Sequence, residues 1–193
     1  MNSDKIILDL CGGTGSWSKP YKDAGYDVRV ITLPEQDVKF YEPPDNVHGI
    51  LAAPPCAQFS FARTKAKNLR DLEGAMQVVK ACLEIIWKCQ YKLETENTKL
   101  TKLKFWCLEN PNGFLKYFLG HPPFIFQPYQ FGDMYQKTTC LWGHFDFPKP
   151  IYADKIAGFP KFGSDRDIKF RFNAEAKSVT PPGFSKAFME ANK

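Results

Sequence analysis

The chain has little of what metal centres, disulfide scaffolds or membrane anchors are built from. Its six cysteines, Cys11, Cys56, Cys82, Cys89, Cys107 and Cys140, include no C-x-x-C pair, and its three histidines are far apart. Neither a zinc site nor a disulfide framework is expected, and no metal is assigned. No run approaches the roughly 18 apolar residues of a membrane span. Met1-Asn2-Ser3-Asp4-Lys5 leads into a short apolar segment without a cationic start or cleavage site, so a soluble, cytoplasmic protein with no membrane partner is expected. Internal repeats and low-complexity tracts are also missing.

What is present is globular. With 193 residues, 44% of them hydrophobic, and 17 Phe, 8 Tyr and 4 Trp, the chain can bury one good core. A single domain spanning residues 1–193 is expected. Residues 62–104 hold ten Lys or Arg against five Asp or Glu, which matches the whole net charge of +5. A basic face of this size suits a phosphate-bearing partner, and equally a solvated helix.

Residues 5–10 read as a central strand entering a glycine-rich turn, with helical spacing from Trp17 to Ala24 stopped by Gly25. Residues 27–33 give a second strand, 49–53 a third ended by Pro54-Pro55, and 105–108 a fourth. Between the last two, Leu72, Ala75, Met76, Val79, Cys82, Leu83, Ile86, Cys89 and Leu93 recur at three- and four-residue intervals, one apolar helix stripe. Residues 94–102 read as a polar connection. This α/β alternation predicts a mostly parallel sheet with helices on both faces. After Pro111 the chain turns irregular or antiparallel, with Thr138–Trp142 as another strand. Residues 153–177 have the composition of a mobile surface segment, and Thr180–Asn192 begins a terminal helix.

Three pieces stand at strand ends, where ligands bind in such sheets. The turn Gly12-Gly13-Thr14-Gly15 lets backbone approach a ligand closely. It lacks the Gly-Lys-Ser/Thr of a P-loop, and Ser18 stands where a dinucleotide fingerprint needs its third glycine. Pro54-Pro55 stiffens the loop that carries Cys56, a thiol that could serve as a nucleophile or merely end a strand. Glu109 follows a bulky apolar strand, where desolvation favours a neutral carboxyl able to donate a proton or hydrogen bond. Asn110 is expected to tie this loop to Glu109 through backbone contacts.

As a set these pieces resemble the DNA (cytosine-5) methyltransferases. Asp9-Leu10-Cys11-Gly12-Gly13-Thr14-Gly15-Ser16-Trp17-Ser18 is similar to the family's cofactor motif, Ala53-Pro54-Pro55-Cys56-Ala57-Gln58-Phe59-Ser60 to its Pro-Cys loop, and Leu108-Glu109-Asn110 to its Glu-Asn motif. Asp37-Val38 resembles the segment beside the adenine, and Thr180–Phe188 the final motif that returns to the cofactor pocket. The likeness covers residues 1–145 and 178–193 and is closest to short versions common in phages and prophages. It implies a Rossmann-like fold using S-adenosyl-L-methionine, in bacterial or phage-infected cells. Cys56, Glu109 and Asn110 would be catalytic. Cofactor contacts would come from Asp9, Leu10, Cys11, Gly12, Gly13, Thr14, Gly15, Trp17, Leu33, Asp37, Val38 and Pro54. Substrate contacts would come from Gln58, Ser60, Arg63, Lys137 and Thr138. The implied partner is DNA, as a duplex with a flipped base or as a single strand.

The chain departs from the family in four places. Thr32-Leu33-Pro34 replaces the acid expected for the ribose, leaving Glu35 as a substitute. Gln136-Lys137-Thr138-Thr139-Cys140 replaces Gln-x-Arg-x-Arg. Pro111 replaces valine. Residues 145–177 form a short irregular insert where the family carries a large target-recognition domain, which leaves a separate specificity protein as one route to recognition. Cytosine in RNA or a free nucleotide, and a silent cofactor- or nucleic-acid-binding protein, are the alternative readings.

Overall fold

A computed structural model of the chain describes residues 2–63, 67–91, 103–152 and 179–193. The polar connection at 94–102 and residues 153–177 of the expected insert lie outside these. Strands β1 (Ile6–Leu10), β2 (Asp27–Ile31), β3 (Val47–Ala52), β4 (Phe105–Pro111), β5 (Phe124–Phe126) and β6 (Thr139–His144) form one sheet in the order β2-β1-β3-β4-β6-β5. Around it lie α1 (Lys19–Asp23), α2 (Leu72–Gln90), α3 (Lys116–Leu119) and α4 (Pro182–Ala191). None of the described helices is long and apolar enough to cross a membrane.

The sheet is mixed, which corrects the expectation of a mostly parallel one. Strands β2, β1, β3 and β4 pair in parallel, whereas β6 runs antiparallel to both β4 and β5. The connection explains the change. Strand β5 keeps the sense of β4, and β6 then turns back from β5 to lie antiparallel between the two, a return that needs no helical crossover. Pairing with β6 also carries β4 past the predicted Leu108 to Pro111, so Glu109 sits opposite Leu141 and Asn110 opposite Cys140.

Helices do cover both faces, and strand alternation divides the core between them. Leu8, Leu10, Ile50, Ala52 and Leu108 point to the face covered by α2, which buries Val79, Cys82, Ile85 and Ile86. Each of these aliphatic side chains contributes about 2 kcal/mol by leaving water. Ile7, Leu51, Cys107 and Leu141 point to the other face, packed by Trp17, Tyr21, Phe184 and Phe188 from α1, its approach and α4. Asp71 starts α2 by accepting from Gly74 N at 2.8 Å. Helix α1 keeps the expected place and is shorter than its spacing predicts, with Ser18 as its N-cap and Pro20 in its first turn, where a missing N–H costs nothing.

Register brings the parallel strands to a common end. Leu10 lies beside both Ile31 and Ala52, and Ala52 beside Leu108. The segments starting at Cys11, Thr32 and Ala53 therefore leave the sheet along one edge, level with Glu109, which continues β4 opposite Leu141.

Candidate active site

On the β1 side of this edge the backbone does most of the shaping. Cys11, Gly13 and Gly15 all take positive φ, at 56°, 54° and 68°. For the two glycines this is free of strain, whereas Cys11 is held there by its neighbours. Gly12 has a different reason. A Cβ on it would meet the Asp9 carboxylate at 2.5–2.8 Å. Asp9 is fully buried beneath the turn, where Ser18 Oγ donates to its Oδ2 at 2.5 Å and its Oδ1 has no partner among the described residues. Burial pushes its pKa up to about 6. Ser18 was legible only as a missing glycine, though a serine just ahead of a helix is a polar-capping signal.

Beside the turn, Cys11, Leu33, Asp37, Val38, Pro55 and Val78 line a cavity of about 200 Å³. Four residues expected at the cofactor, Cys11, Leu33, Asp37 and Val38, thus converge here from the segments after β1 and β2. Asp37 caps a short 3-10 turn by accepting from Lys39 N at 3.0 Å, which places Val38 against the core. Glu35 and Leu33 are exposed. Cys11 Sγ lies 4.0 Å from Cys82 Sγ, and that hydrogen bond lowers the Cys11 pKa and raises that of Cys82. Trp17 is placed differently from expectation. Its ring is 2% exposed and packs against Phe184 and Phe188 at 6.1 and 5.5 Å, so it supports the turn from below. The C-terminal segment does return to the turn, with Thr180 N donating to Ser16 Oγ at 2.8 Å. Leu10 is wholly buried, and Gly13 and Thr14 are exposed.

On the β3–β4 side, side chains do the work. Cys56 opens to solvent on one side. The protein packed around its other sides raises the thiol pKa, the Glu109 carboxylate raises it further, and Lys137 opposes both. Burial likewise raises the Glu109 pKa, with Lys137 pulling it down. Cys56, Glu109 and Lys137 therefore share one electrostatic neighbourhood. Tyr135 belongs to it too, since its phenol is held well above its ordinary value by burial and by the charges of Asp133 and Glu109. Tyr135 lies in an irregular loop with no motif signal, and nothing in the sequence marks it.

Asn110 joins the two loops. Fully buried, it donates from Nδ2 to the Pro54 carbonyl at 2.9 Å. The expected bond back toward Glu109 is thus replaced by one to the loop of Cys56, and Asn110 is a positioning residue. Pro54 is buried and supplies the acceptor.

The expected substrate-binding residues are largely engaged within the protein. Gln58 Oε1 accepts from Arg63 Nη1 at 2.9 Å and from Asp71 N at 3.1 Å. Ser60 Oγ accepts from Ala62 N at 3.2 Å, and Arg70 donates to the Gln58 and Ser60 carbonyls. These bonds set the shape of the segment after Cys56. Thr138 is exposed, and its Oγ1 accepts from Gln127 Nε2 at 2.7 Å. Lys137 is the one of the five whose charge acts on both Cys56 and Glu109.

No protein-family model and no curated protein matches the chain. Among solved structures it is similar to a mutant of DNMT2 from Spodoptera frugiperda, at 17% sequence identity and a TM-score of 0.43. The match covers 81% of this chain and 57% of that one, so the chain spans little more than half of that neighbour's length. Nothing about activity is carried over from a likeness of that size.

Proposed function

We propose that the chain is an S-adenosylmethionine-dependent methyltransferase acting at C5 of cytosine in DNA, within a single domain, with Cys56 as the attacking group. The observation that carries this reading is the joining of the Cys56 and Glu109 loops at one sheet edge by the Asn110–Pro54 hydrogen bond, beside a cavity at the end of the neighbouring strands. A thiol and a half-buried carboxyl held on neighbouring segments beside a recess suit covalent activation of a pyrimidine ring.

The cofactor side fits the group required. Leu33, Asp37 and Val38 would hold the nucleoside end in the cavity, and the turn from Cys11 to Gly15, which Asp9 underlies, would take the methionine end. S-adenosylmethionine, when bound, supplies an electrophilic methyl group.

The charge relations favour the chemistry in the right direction. A cytosine N3 accepting a hydrogen bond from Glu109 keeps that carboxyl protonated. Its negative charge, which otherwise raises the Cys56 pKa, is then absent. Binding the base therefore makes Cys56 a better thiolate at the moment it is needed. The thiolate adds to C6, Glu109 supports the charge that develops on the ring, and Lys137 adds a fixed positive potential. Methylated C5 then gives its proton to solvent, to which the site is open at Cys56, and the electron pair of that C–H bond re-forms the C5–C6 double bond and expels Cys56 as a thiolate. Because C6 is buried within a stacked duplex, the base must be extruded or offered unpaired.

The test is transfer of labelled methyl from S-adenosylmethionine to cytosine-containing DNA, with product digestion to identify the methylated base. The reading expects 5-methylcytosine from the native protein and none from Cys56→Ser. Label in another base, or undiminished transfer by Cys56→Ser with its fold intact, would overturn it.

A further inference from the structure

Beside the Cys56 loop lies an aromatic surface that the mechanism does not use. The segment after Cys56 and the segment after β4 are held together by a bridge between Ser60 and Gly113 and by Phe114 N donating to the Phe59 carbonyl at 2.8 Å. This brings Phe61 within 5.1 Å of Phe114, edge to face, and Phe114 within 6.0 Å of Tyr117. Phe114 packs against the core, and the two outer rings stay at the surface. Phe61 is 40% exposed and Tyr117 69%.

Cations sit among them. Lys116 Nζ lies over both outer rings, 5.2 Å from the Phe61 centroid and 5.5 Å from that of Tyr117. Arg70 stands 4.9 Å over Phe114. Among the described residues neither cation has a carboxylate partner; Arg70 is committed to the Gln58 and Ser60 carbonyls, whereas Lys116 Nζ makes one long contact, 3.4 Å to Asn112 Oδ1. Exposed rings flanking a lysine that lacks a counter-charge are complementary to a polyanion that also presents flat π faces. An intact duplex hides those faces in its own stack, so only unpaired bases can use the rings. The surface also starts close to the chemistry. Cys56 O accepts from the Phe59 and Ser60 amides, and Phe61 follows directly.

We propose that Phe61 and Tyr117, with Lys116 between them, form a stacking surface for unpaired bases flanking the target cytosine, so that single-stranded DNA is the form bound in preference to the intact duplex. The proposal rests on the reading of the neighbouring site as acting on cytosine in DNA. It accounts for binding by stacking and phosphate contact, both of which tolerate any sequence.

The test uses the full chain and a labelled oligonucleotide of about 20 thymidines with one cytosine, free or annealed to its complement, followed by fluorescence anisotropy. Native protein should bind the single strand more tightly than the duplex. Tyr117→Leu should weaken single-strand binding by roughly tenfold with little change in its salt dependence, and Phe61→Leu similarly. Lys116→Gln should instead reduce the slope of log Kd against log salt by about one contact. Tyr117 is mostly exposed, so its variant should keep the native melting temperature and decides the matter if Phe61→Leu does not fold. Full-strength single-strand binding by Tyr117→Leu, or tighter binding of duplex by the native protein, would overturn the proposal. The two claims fail separately. Ring-dependent binding without methyl transfer leaves the stacking surface standing and removes the enzymatic reading. Methyl transfer to the oligonucleotide with KM unchanged in Tyr117→Leu does the reverse.

Discussion

The two sides of the site share one sheet edge and are built by different means. On the β1–β2 side, positive-φ backbone and a missing Cβ at Gly12 make room over a buried carboxylate. On the β3–β4 side, the charges of Glu109 and Lys137 act on the Cys56 thiol, and one hydrogen bond from the Asn110 amide ties the strand of Glu109 to the loop of Cys56. The difference is between a shape made by backbone conformation and a reactivity made by side-chain electrostatics. Substitutions on the first side should alter cofactor affinity while leaving Cys56 reactivity alone, and those on the second should alter Cys56 reactivity and turnover more than cofactor affinity.

The largest expected effect is at Asp9. Its folded-state pKa is raised from 3.8 to about 6, so the protonated form is the one the fold favours. That contribution is complete below about pH 4 and is lost as pH rises through about 6, at a cost of about 3 kcal/mol above neutrality. Asp9→Asn should therefore gain stability over the native protein as pH rises across this window, offset in part by a weaker bond from Ser18. Urea denaturation at about pH 4 and about pH 7.5 checks the sign. A gain that shrinks with rising pH would contradict the buried-carboxyl account.

Asn110→Ala should come next. It leaves the buried Pro54 carbonyl without its donor and frees the Cys56 loop, costing about 2 kcal/mol of stability and lowering kcat more than cofactor affinity. Gly12→Ala should cost about 1–2 kcal/mol by overpacking against Asp9 and should weaken S-adenosylmethionine binding in calorimetry. The rate of Cys56 alkylation in that variant should match the native protein. If it changes, the two sides are not independent.

Glu109→Gln should give the smallest and most specific change. Removing the carboxylate removes one of the influences that raise the Cys56 pKa, so the pH profile of alkylation by iodoacetamide should move to lower pH. Lys137→Met should move it the other way. Identical profiles in both variants would mean that the three groups do not share a field.

Much of this was legible in the sequence. Apolar runs ending in Cys11, Pro54 and Glu109 marked strand ends, and a parallel register brings such ends to one edge. The helix at Leu72–Gln90 followed from its three- and four-residue spacing. What sequence alone did not reveal depends on long-range partners. Strand β4 runs to Pro111 only because β6 pairs with it, and β5 is three residues long with no pattern of its own. The bond from Asn110 to Pro54 spans 56 residues, and Ser18 serves a carboxylate rather than a phosphate. The family resemblance implied Trp17 as a cofactor contact, and the packing of its ring against Phe184 and Phe188 depends on a C-terminal helix more than 160 residues away in the chain.

The most direct test of the central claim is covalent capture. DNA containing 5-fluorocytosine is incubated with the protein and S-adenosylmethionine, then analysed on a denaturing gel. Fluorine at C5 cannot leave as a proton does, so the account predicts a protein–DNA complex that survives denaturation, maps to Cys56 by peptide mass, and is absent in Cys56→Ser. A complex that persists in Cys56→Ser, or none at all under conditions where unmodified cytosine is methylated, would contradict it.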